Sequence, residues 1–314
     1  MAHIWHISIV SFVSKTIVRG VVLEKDPNIR KMEIGETENL YRLLSSYISS
    51  PLRNTVMSIK LNHETYQIDI DNNGSFNLEL RLIFESKPDI SIIVKENELQ
   101  INQDYCVFFK NSLNSVDVIS DIDDTIIVSH SSNIIKRVGL LSLVLPHNRK
   151  HIKFTKTILT YISTYSARVF YVSKSESNLF DILSSFIKHN QLPEGMLILT
   201  PYLNLKQLII NKKDKYFKLD SIKFIFENSG DKKFVLFGDD SQLDMEVYTH
   251  LAESYPGKVA RIYIRQTRKS VNKKRFILWQ KLKNTFSDSV YFNSSTDMDQ
   301  ELLKLGNIMD SKNN

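Results

Sequence analysis

Val118–Ile126 reads VISDIDDTI, and this stretch decides the fold. Val116–Ile119 is a short apolar run of the kind that forms a buried strand. It ends in Ser120-Asp121-Ile122-Asp123-Asp124-Thr125. A single Asp at a strand end is an ordinary turn or cap residue. Asp121 and Asp123, two apart and followed by Thr125, are different, because crowded carboxylates repel one another unless a cation sits between them. Hard oxygen ligands of this kind suit Mg²⁺. A DxDxT run alone arises often by chance, so the rest of the chain must supply its context.

Downstream, the rhythm is strand and helix in alternation. Apolar runs at Val169–Val172, Met196–Leu199, Phe234–Phe237 and Val259–Ile264 are separated by amphipathic stretches at Leu179–Ile187, Phe217–Phe226 and Leu243–Ser254. Five such strands predict an α/β fold with a parallel sheet, whose ligands sit at the carboxyl ends of the strands. The second strand ends in Ser173, a hydroxyl able to hold a phosphate oxygen. Lys218 opens the helix before the fourth strand, placed to neutralise a phosphoryl group. The fourth strand ends in Gly238-Asp239-Asp240-Ser241-Gln242-Leu243-Asp244, so Asp239 and Asp244 are candidates to complete a metal site. Taken singly, Ser173 is an ordinary cap and Lys218 an ordinary surface lysine; their order along the chain gives them weight.

Upstream, the first 110 or so residues are β-rich. Strands are expected at His6–Ser14, Thr16–Leu23, Val56–Leu61, Ile90–Val94 and Tyr105–Lys110, with one helix at Thr37–Ile48. Tyr66, Ile68 and Ile70 alternate with polar residues, as do Phe76, Leu78, Leu80 and Leu82. Asp71-Asn-Asn-Gly74 between them predicts a hairpin. Short strands with turns point to a small sandwich, residues 1–112, joined through Asn111–Ser115 to a catalytic domain, residues 113–314.

Composition agrees with a globular chain. Apolar residues are 42% and charged residues 24% of 314, which excludes a disordered chain, a collagen and a coiled coil. A single cysteine, Cys106, excludes a disulfide framework within the chain and fits a reducing, cytoplasmic setting. No apolar run approaches the ~20 residues of a membrane-spanning helix. The net charge of +6 is uneven, with −2 over residues 1–115 and +8 over 116–314. Thr125–Ser175 carries eight basic residues and no acid, and Lys258–Lys283 carries ten and no acid. For one stretch a solvated surface is the ordinary reading. Two of them flanking one candidate site point to anionic partners.

The ordered set Asp121, Ser173, Lys218, Asp239 resembles the haloacid dehalogenase superfamily of aspartate-nucleophile phosphatases. VISDIDDTI, VFYVSKSESNLFDIL (Val169–Leu183), LPEG (Leu192–Gly195), KKFVLFGDDSQLDMEVY (Lys232–Tyr248) and PGKVARIYIR (Pro256–Arg265) resemble, more narrowly, the catalytic domain of the actin-patch-associated, Mg²⁺-dependent phosphatidate phosphatases of fungi and their bacterial relatives. The bacterial relatives also carry a β-rich domain in front. The chain departs from that family at Lys174-Ser175-Glu176-Ser177, where Ser-Ser-Pro-Trp is usual, at Asp240 and at Gln266. The resemblance implies a HAD-like Rossmannoid sheet and a fixed division of labour. Asp121 is the nucleophile and Asp123 the acid and base. Thr125, Ser173 and Lys218 hold the phosphoryl group. Mg²⁺ is bound by Asp121, Asp239 and the backbone carbonyl of Asp123, with Asp244 completing the set directly or through water. Asp124 and Asp240 are expected to cap helices.

Selectivity in that superfamily lies in an insertion after the first motif. Ser173 follows Ile126 by only 47 positions, which leaves room for a small cap or none. Within that interval Ile134, Val138, Leu141 and Leu145 fall at helical spacing, with basic residues at both ends and Pro146 as a stop. Such a segment is either a core helix or an interfacial membrane segment. The function expected is a phosphatase for phosphatidate or a related lipid phosphate, peripheral at an anionic membrane. A phosphatase for nucleic-acid ends or a soluble phosphomonoester is the second reading; Phe276 and Trp279 are too few aromatics for single-strand stacking, so nucleic acid is disfavoured. A non-catalytic binding module is the third. Substrate identity and oligomeric state are open at this level.

Overall fold

The computed structural model describes residues 1–27, 36–127, 151–203, 214, 216–241, 243–268 and 270–310. The first part of the chain forms strands β1 (His3–Ser11), β2 (Thr16–Leu23), β3 (Thr55–Leu61), β4 (Glu64–Ile70), β5 (Ser75–Leu80), β6 (Ile90–Val94), β7 (Asn97–Leu99) and β8 (Phe108–Phe109), with helix α1 (Glu36–Ile48) between β2 and β3. They make two four-stranded sheets, ordered β5-β2-β1-β8 and β4-β3-β6-β7. One core joins them: Ile7, Ile9, Val18 and Val22 from the first sheet meet Met57, Ile59, Ile92 and Val94 from the second.

The hairpin expected across Asp71–Gly74 is absent. β4 pairs with β3, and β5 pairs with β2, so this turn carries the chain from one sheet to the other. The turn itself is as tight as the sequence implies. Asp71 Oδ1 accepts from Asn73 N at 2.7 Å and Ser75 N at 2.8 Å. Gly74 has φ +75, and a Cβ there would lie 2.5 Å from the Val22 carbonyl oxygen. Alternation shows that each strand has one buried face, and the turn shows that the chain reverses; neither names the partner strand. Short hairpins form instead at β3–β4, closed through Asn62 at φ 52, and at β6–β7, closed through Lys95 and Glu96 at φ 48 and 65.

The second part is a six-stranded sheet of β9 (Val116–Ser120), β10 (Val169–Glu176), β11 (Met196–Thr200), β12 (Lys233–Asp239), β13 (Val259–Arg265) and β14 (Ser289–Phe292). All neighbours are parallel, in the order β11-β10-β9-β12-β13-β14. The strands are buried on both faces, as a parallel sheet requires. On one face, α2 (Lys153–Ser163), α3 (Phe180–His189) and α7 (Met298–Asp310) cover Val118, Val235 and Tyr263. On the other, α4 (Phe217–Asn228), α5 (Asp244–Ser254) and α6 (Lys273–Thr285) cover Ile119, Leu236 and Ile262. The mixed α/β class and the parallel sheet agree with the sequence reading, and β14, α2, α6 and α7 extend it.

The chain winds outward from β9 to β11, then crosses back to β12 and winds outward again to β14. The order therefore reverses between β9 and β12, and ligands of such sheets bind in the crevice at that reversal. Phe237 of β12 lies beside Ser120 of β9, so the two aspartate-bearing strand ends meet there.

The two parts share side chains. Trp5 packs in the core of the parallel sheet, and its Nε1 donates to the Ser177 carbonyl at 2.7 Å. Phe12 stacks on Phe170 with centroids 6.1 Å apart. Arg168 donates to the Ser11 carbonyl at 2.8 Å while gripping Asp117 Oδ2 at 2.8 and 3.0 Å. Apart from its last residues, His151 and Ile152, the amphipathic segment after Asn133 lies outside the described residues. Among the described residues, no helix is long and apolar enough to cross a membrane.

Candidate active site

Four elements deliver the site. β9 ends at Ser120, and Asp121 follows with its backbone N–H held by the Phe237 carbonyl at 2.8 Å. β12 delivers Asp239 at its last position, and α5 opens with Asp244. Between them Gly238 lets the chain pass against the Asp244 carboxylate: a Cβ at this position would lie 2.6 Å from Asp244 Oδ2. Asp239 N–H donates to that same oxygen at 3.1 Å. α4 contributes Lys218 from its first turn.

One oxygen each from Asp121, Asp239 and Asp244 lie within 4.8 Å of one another, and all three residues are buried. Lys218 is also buried; its Nζ lies 3.1 Å from Asp121 Oδ1 and is hydrogen-bonded to Asp244. The Lys218 ammonium is thus shared by Asp121 and Asp244, and Lys174 adds a second positive charge near them. Burial, with Asp244, Asp239 and Asp123 adding to it, holds the Asp121 carboxyl well above the usual range against the pull of Lys218. Burial and Asp244 push the Asp239 carboxyl up to about 7. Burial opposes the charge on Lys218, but Asp121 and Asp244 outweigh it and raise the amine above its ordinary value. Asp239 Oδ2 is buried with no hydrogen-bond partner. Three converging carboxylates, short of positive charge and with one orphaned oxygen, fit a hard divalent cation.

Asp123 lies apart from that cluster. Its Oδ2 accepts from Ser175 Oγ at 2.9 Å and Ser173 Oγ at 3.3 Å. The pairing of β10 with β11 is regular from Phe170 to Val172 and resumes only at Glu176, and the irregular stretch between brings both hydroxyls onto one carboxylate. Thr125 Oγ1 lies 3.4 Å from Asp121 Oδ2, and the Thr125 carbonyl is held by Thr155 Oγ1 at 2.8 Å. Every sequence candidate is therefore in one place: Asp121, Asp239, Asp244 and Lys218 in contact, with Asp123, Thr125 and Ser173 adjoining. The carboxylate of Asp123 is not among the converging three; the carbonyl expected to bind the ion is a separate group.

Asp240 does not cap a helix. α5 has Leu243 at its cap position, and the Asp240 carboxylate instead accepts from Thr267 N at 3.0 Å, Thr267 Oγ1, Tyr291 and Arg275. Asp124 caps none among the described residues either. It sits in the left-handed region at φ 56, with its carbonyl held by Arg265 Nη1 at 2.6 Å. Sequence reasoning passed over Ser175 and Arg265. Each had a signal: Ser175 is two residues from Ser173, the spacing of one strand face, and Arg265 ends the strand next to Asp239.

Residues 116–266 match the family described as phosphatidate phosphatase APP1, catalytic domain. This segment is similar to that catalytic domain. The APP1 protein of Saccharomyces cerevisiae is 31% identical over 153 residues, covering 48% of this chain and 26% of that protein. An uncharacterized protein of Schizosaccharomyces pombe is 28% identical over 152 residues, covering 48% of this chain and 25% of its own. The chain thus spans about a quarter of the length of the curated relatives it matches. Residues 116–266 contain Asp121, Asp123, Thr125, Ser173, Ser175, Lys218, Asp239 and Asp244. Among solved structures, a Pnkp1/Rnl/Hen1 complex is similar at a TM-score of 0.34 and 15% identity, over 59% of this chain and 57% of that one. A class C acid phosphatase from Bacillus anthracis is similar at 0.31 and 12%, over 62% and 79%.

Proposed function

We propose that this chain is a Mg²⁺-dependent phosphatase that hydrolyses a phosphomonoester through an aspartyl-phosphate, in the manner of the haloacid dehalogenase superfamily, with phosphatidate or a related lipid phosphate as substrate. The observation that carries the reading is the buried convergence of Asp121, Asp239, Asp244 and Lys218 at the sheet's reversal point, inside an APP1-type catalytic segment.

An oxygen of Asp121 attacks phosphorus, and the bond to the leaving oxygen breaks. Asp123 gives its proton to that oxygen, then takes one from the water that cleaves the aspartyl-phosphate, releasing phosphate and free Asp121. The hydroxyls of Ser173 and Ser175 orient Asp123 for both transfers. Lys218 and Thr125 stand beside Asp121, where they hold and neutralise phosphoryl oxygens. A divalent cation held by Asp121, Asp239 and Asp244 supplies the positive charge that keeps these carboxylates ionised and offsets the charge of the phosphate.

Phosphate release from a panel of lipid, nucleotide and sugar phosphates, with Mg²⁺ and with EDTA, tests the reading. Release from phosphatidate with Mg²⁺, lost in EDTA, is the expected result. Release from no member of the panel, or equal release in EDTA, would overturn it; preference for a nucleic-acid end would favour the second reading.

The membrane belongs to the same proposal. The basic, apolar-striped segment before His151 supplies charge for an anionic surface, at about 1 kcal/mol per Lys or Arg, screened by salt. Changing Lys136, Arg137, Arg149 and Lys150 to Glu should weaken co-sedimentation with anionic vesicles at low salt by tens-fold or more. Wild-type protein that stays in the supernatant under those conditions would remove the membrane from the proposal.

A further inference from the structure

The two acid-free stretches of the sequence, distant along the chain, meet in one place. A cavity of about 510 Å³ is lined by His151 and Lys153 from the first stretch and by Arg265, Gln266 and Arg268 from the second, with Asn293 beside them. Among the described residues, its wall has no Asp or Glu. Two carboxylates touch wall residues and are already engaged: Asp124 with Arg265, and Asp240 with Thr267, Arg275 and Tyr291. His151 bonds Asn190 through Nδ1 at 2.9 Å, and Lys153, Arg265 and Arg268 bring their charges to the wall.

The cavity abuts the catalytic loop. Arg265 is the cross-strand neighbour of Asp239, so their backbones lie about one strand spacing, ~4.8 Å, apart. Arg265 also holds the Asp124 carbonyl, one residue from Asp123. On the other side, Ile152 N–H donates to the Ile126 carbonyl at 2.8 Å. Helix α2 starts at Lys153 with Ile152 as its cap residue and no side chain closing its first turn. Its positive end adds to the field of the cations.

We propose that this cavity is an anion subsite for a second phosphate group, lying beside the phosphate that is hydrolysed. The second group is carried either by the same small molecule or by a neighbouring lipid headgroup. The inference deepens the phosphatase reading and rests on it for the identity of the first phosphate. Charge carries it: beyond the Arg265–Asp124 pair, Lys153 and Arg268 add positive charge to the wall of a cavity that adjoins the catalytic loop.

Two measurements on the full chain with Mg²⁺ separate this proposal from the reading beneath it. The first is calorimetry with butane-1,4-bisphosphonate and with butylphosphonate, neither of which this reaction can hydrolyse. Wild type should bind the bisphosphonate about tenfold more tightly, and K153A/R268A should lose that preference. K153R/R268K should restore it, and Lys258→Ala, at the opposite end of β13, should leave it unchanged. The second is the KM for 1,4-butanediol bisphosphate against 4-hydroxybutyl phosphate, and for dioctanoyl phosphatidate in micelles with and without phosphatidylglycerol. Loss of preference only for the bisphosphate assigns the second phosphate to the same molecule; loss only of the phosphatidylglycerol effect assigns it to a neighbouring headgroup. If K153A/R268A matches wild type in both measurements, the subsite is overturned while the phosphatase reading stands. If the bisphosphonate preference depends on Lys153 and Arg268 but nothing is hydrolysed, the subsite stands and the phosphatase reading fails.

Discussion

The carboxyl groups at the centre of the site are the most demanding residues in the molecule. Asp121→Asn removes the nucleophile and one side of the cation cluster, and should abolish turnover with the fold retained. Near-normal phosphate release from a folded Asp121→Asn sample would sink the aspartyl-phosphate. Asp123→Asn should slow hydrolysis at least a hundredfold, since general acid–base catalysis contributes about 10²–10⁴; an unchanged rate would take Asp123 out of proton transfer. The raised carboxyl pKa values also set a pH dependence. Burial holds protons on Asp121 and Asp239 that an unfolded chain releases near 4. The stability these protons contribute to the metal-free protein is present at low pH and is lost as the pH rises through about 7, where Asp239 titrates. A divalent cation replaces the protons. The rise in Tm on adding Mg²⁺ should therefore be small at pH 5.5 and several degrees at pH 8. Equal rises at the two pH values would show that the ion binds elsewhere.

Elements, rather than residues, position these groups, and Gly238 is where two of them touch. A methyl at this position meets the Asp244 carboxylate, so the start of α5 must move or the strand must bend. Gly238→Ala should cost about 1–3 kcal/mol and raise the Mg²⁺ concentration needed for half-maximal activity. A denaturation midpoint and a Mg²⁺ titration check both, and a variant unchanged in either would refute the tight packing. The elements themselves were legible unevenly. β9 to β13 were readable to within a few residues because a strand buried on both faces is an unbroken apolar run. β14 is four residues long, too short for any period to show. α6 buries only Leu282, so it lacks the apolar stripe by which a helix is read. The Asp71 turn was legible as a turn and illegible as a crossover, because pairing is a tertiary fact. The site was legible because its residues fall in chain order at strand ends. Ser175 escaped because its role depends on an irregularity in strand pairing that no local pattern encodes.

At the scale of the whole molecule, the β-rich part and the parallel sheet behave as one packed body where they meet. Trp5 is 1% exposed and sits in the core of the parallel sheet, edge-on to Tyr202 at 6.3 Å. Trp5→Ala should cost about 3–5 kcal/mol, read as a fall in the midpoint of a single unfolding transition seen alike by far-UV signal and Trp279 fluorescence. Two resolved transitions, with the catalytic one unmoved, would show that the parts are independent. Removing residues 1–112 should likewise expose the segment around Ser177 and leave an aggregating product. The same contact has a temporal side. Trp5 and Ser177 are 172 residues apart, and a ribosome adds about 5–20 residues per second. Once made, β1 therefore waits roughly nine to thirty-five seconds before the Ser177 carbonyl that its indole bonds has been synthesised.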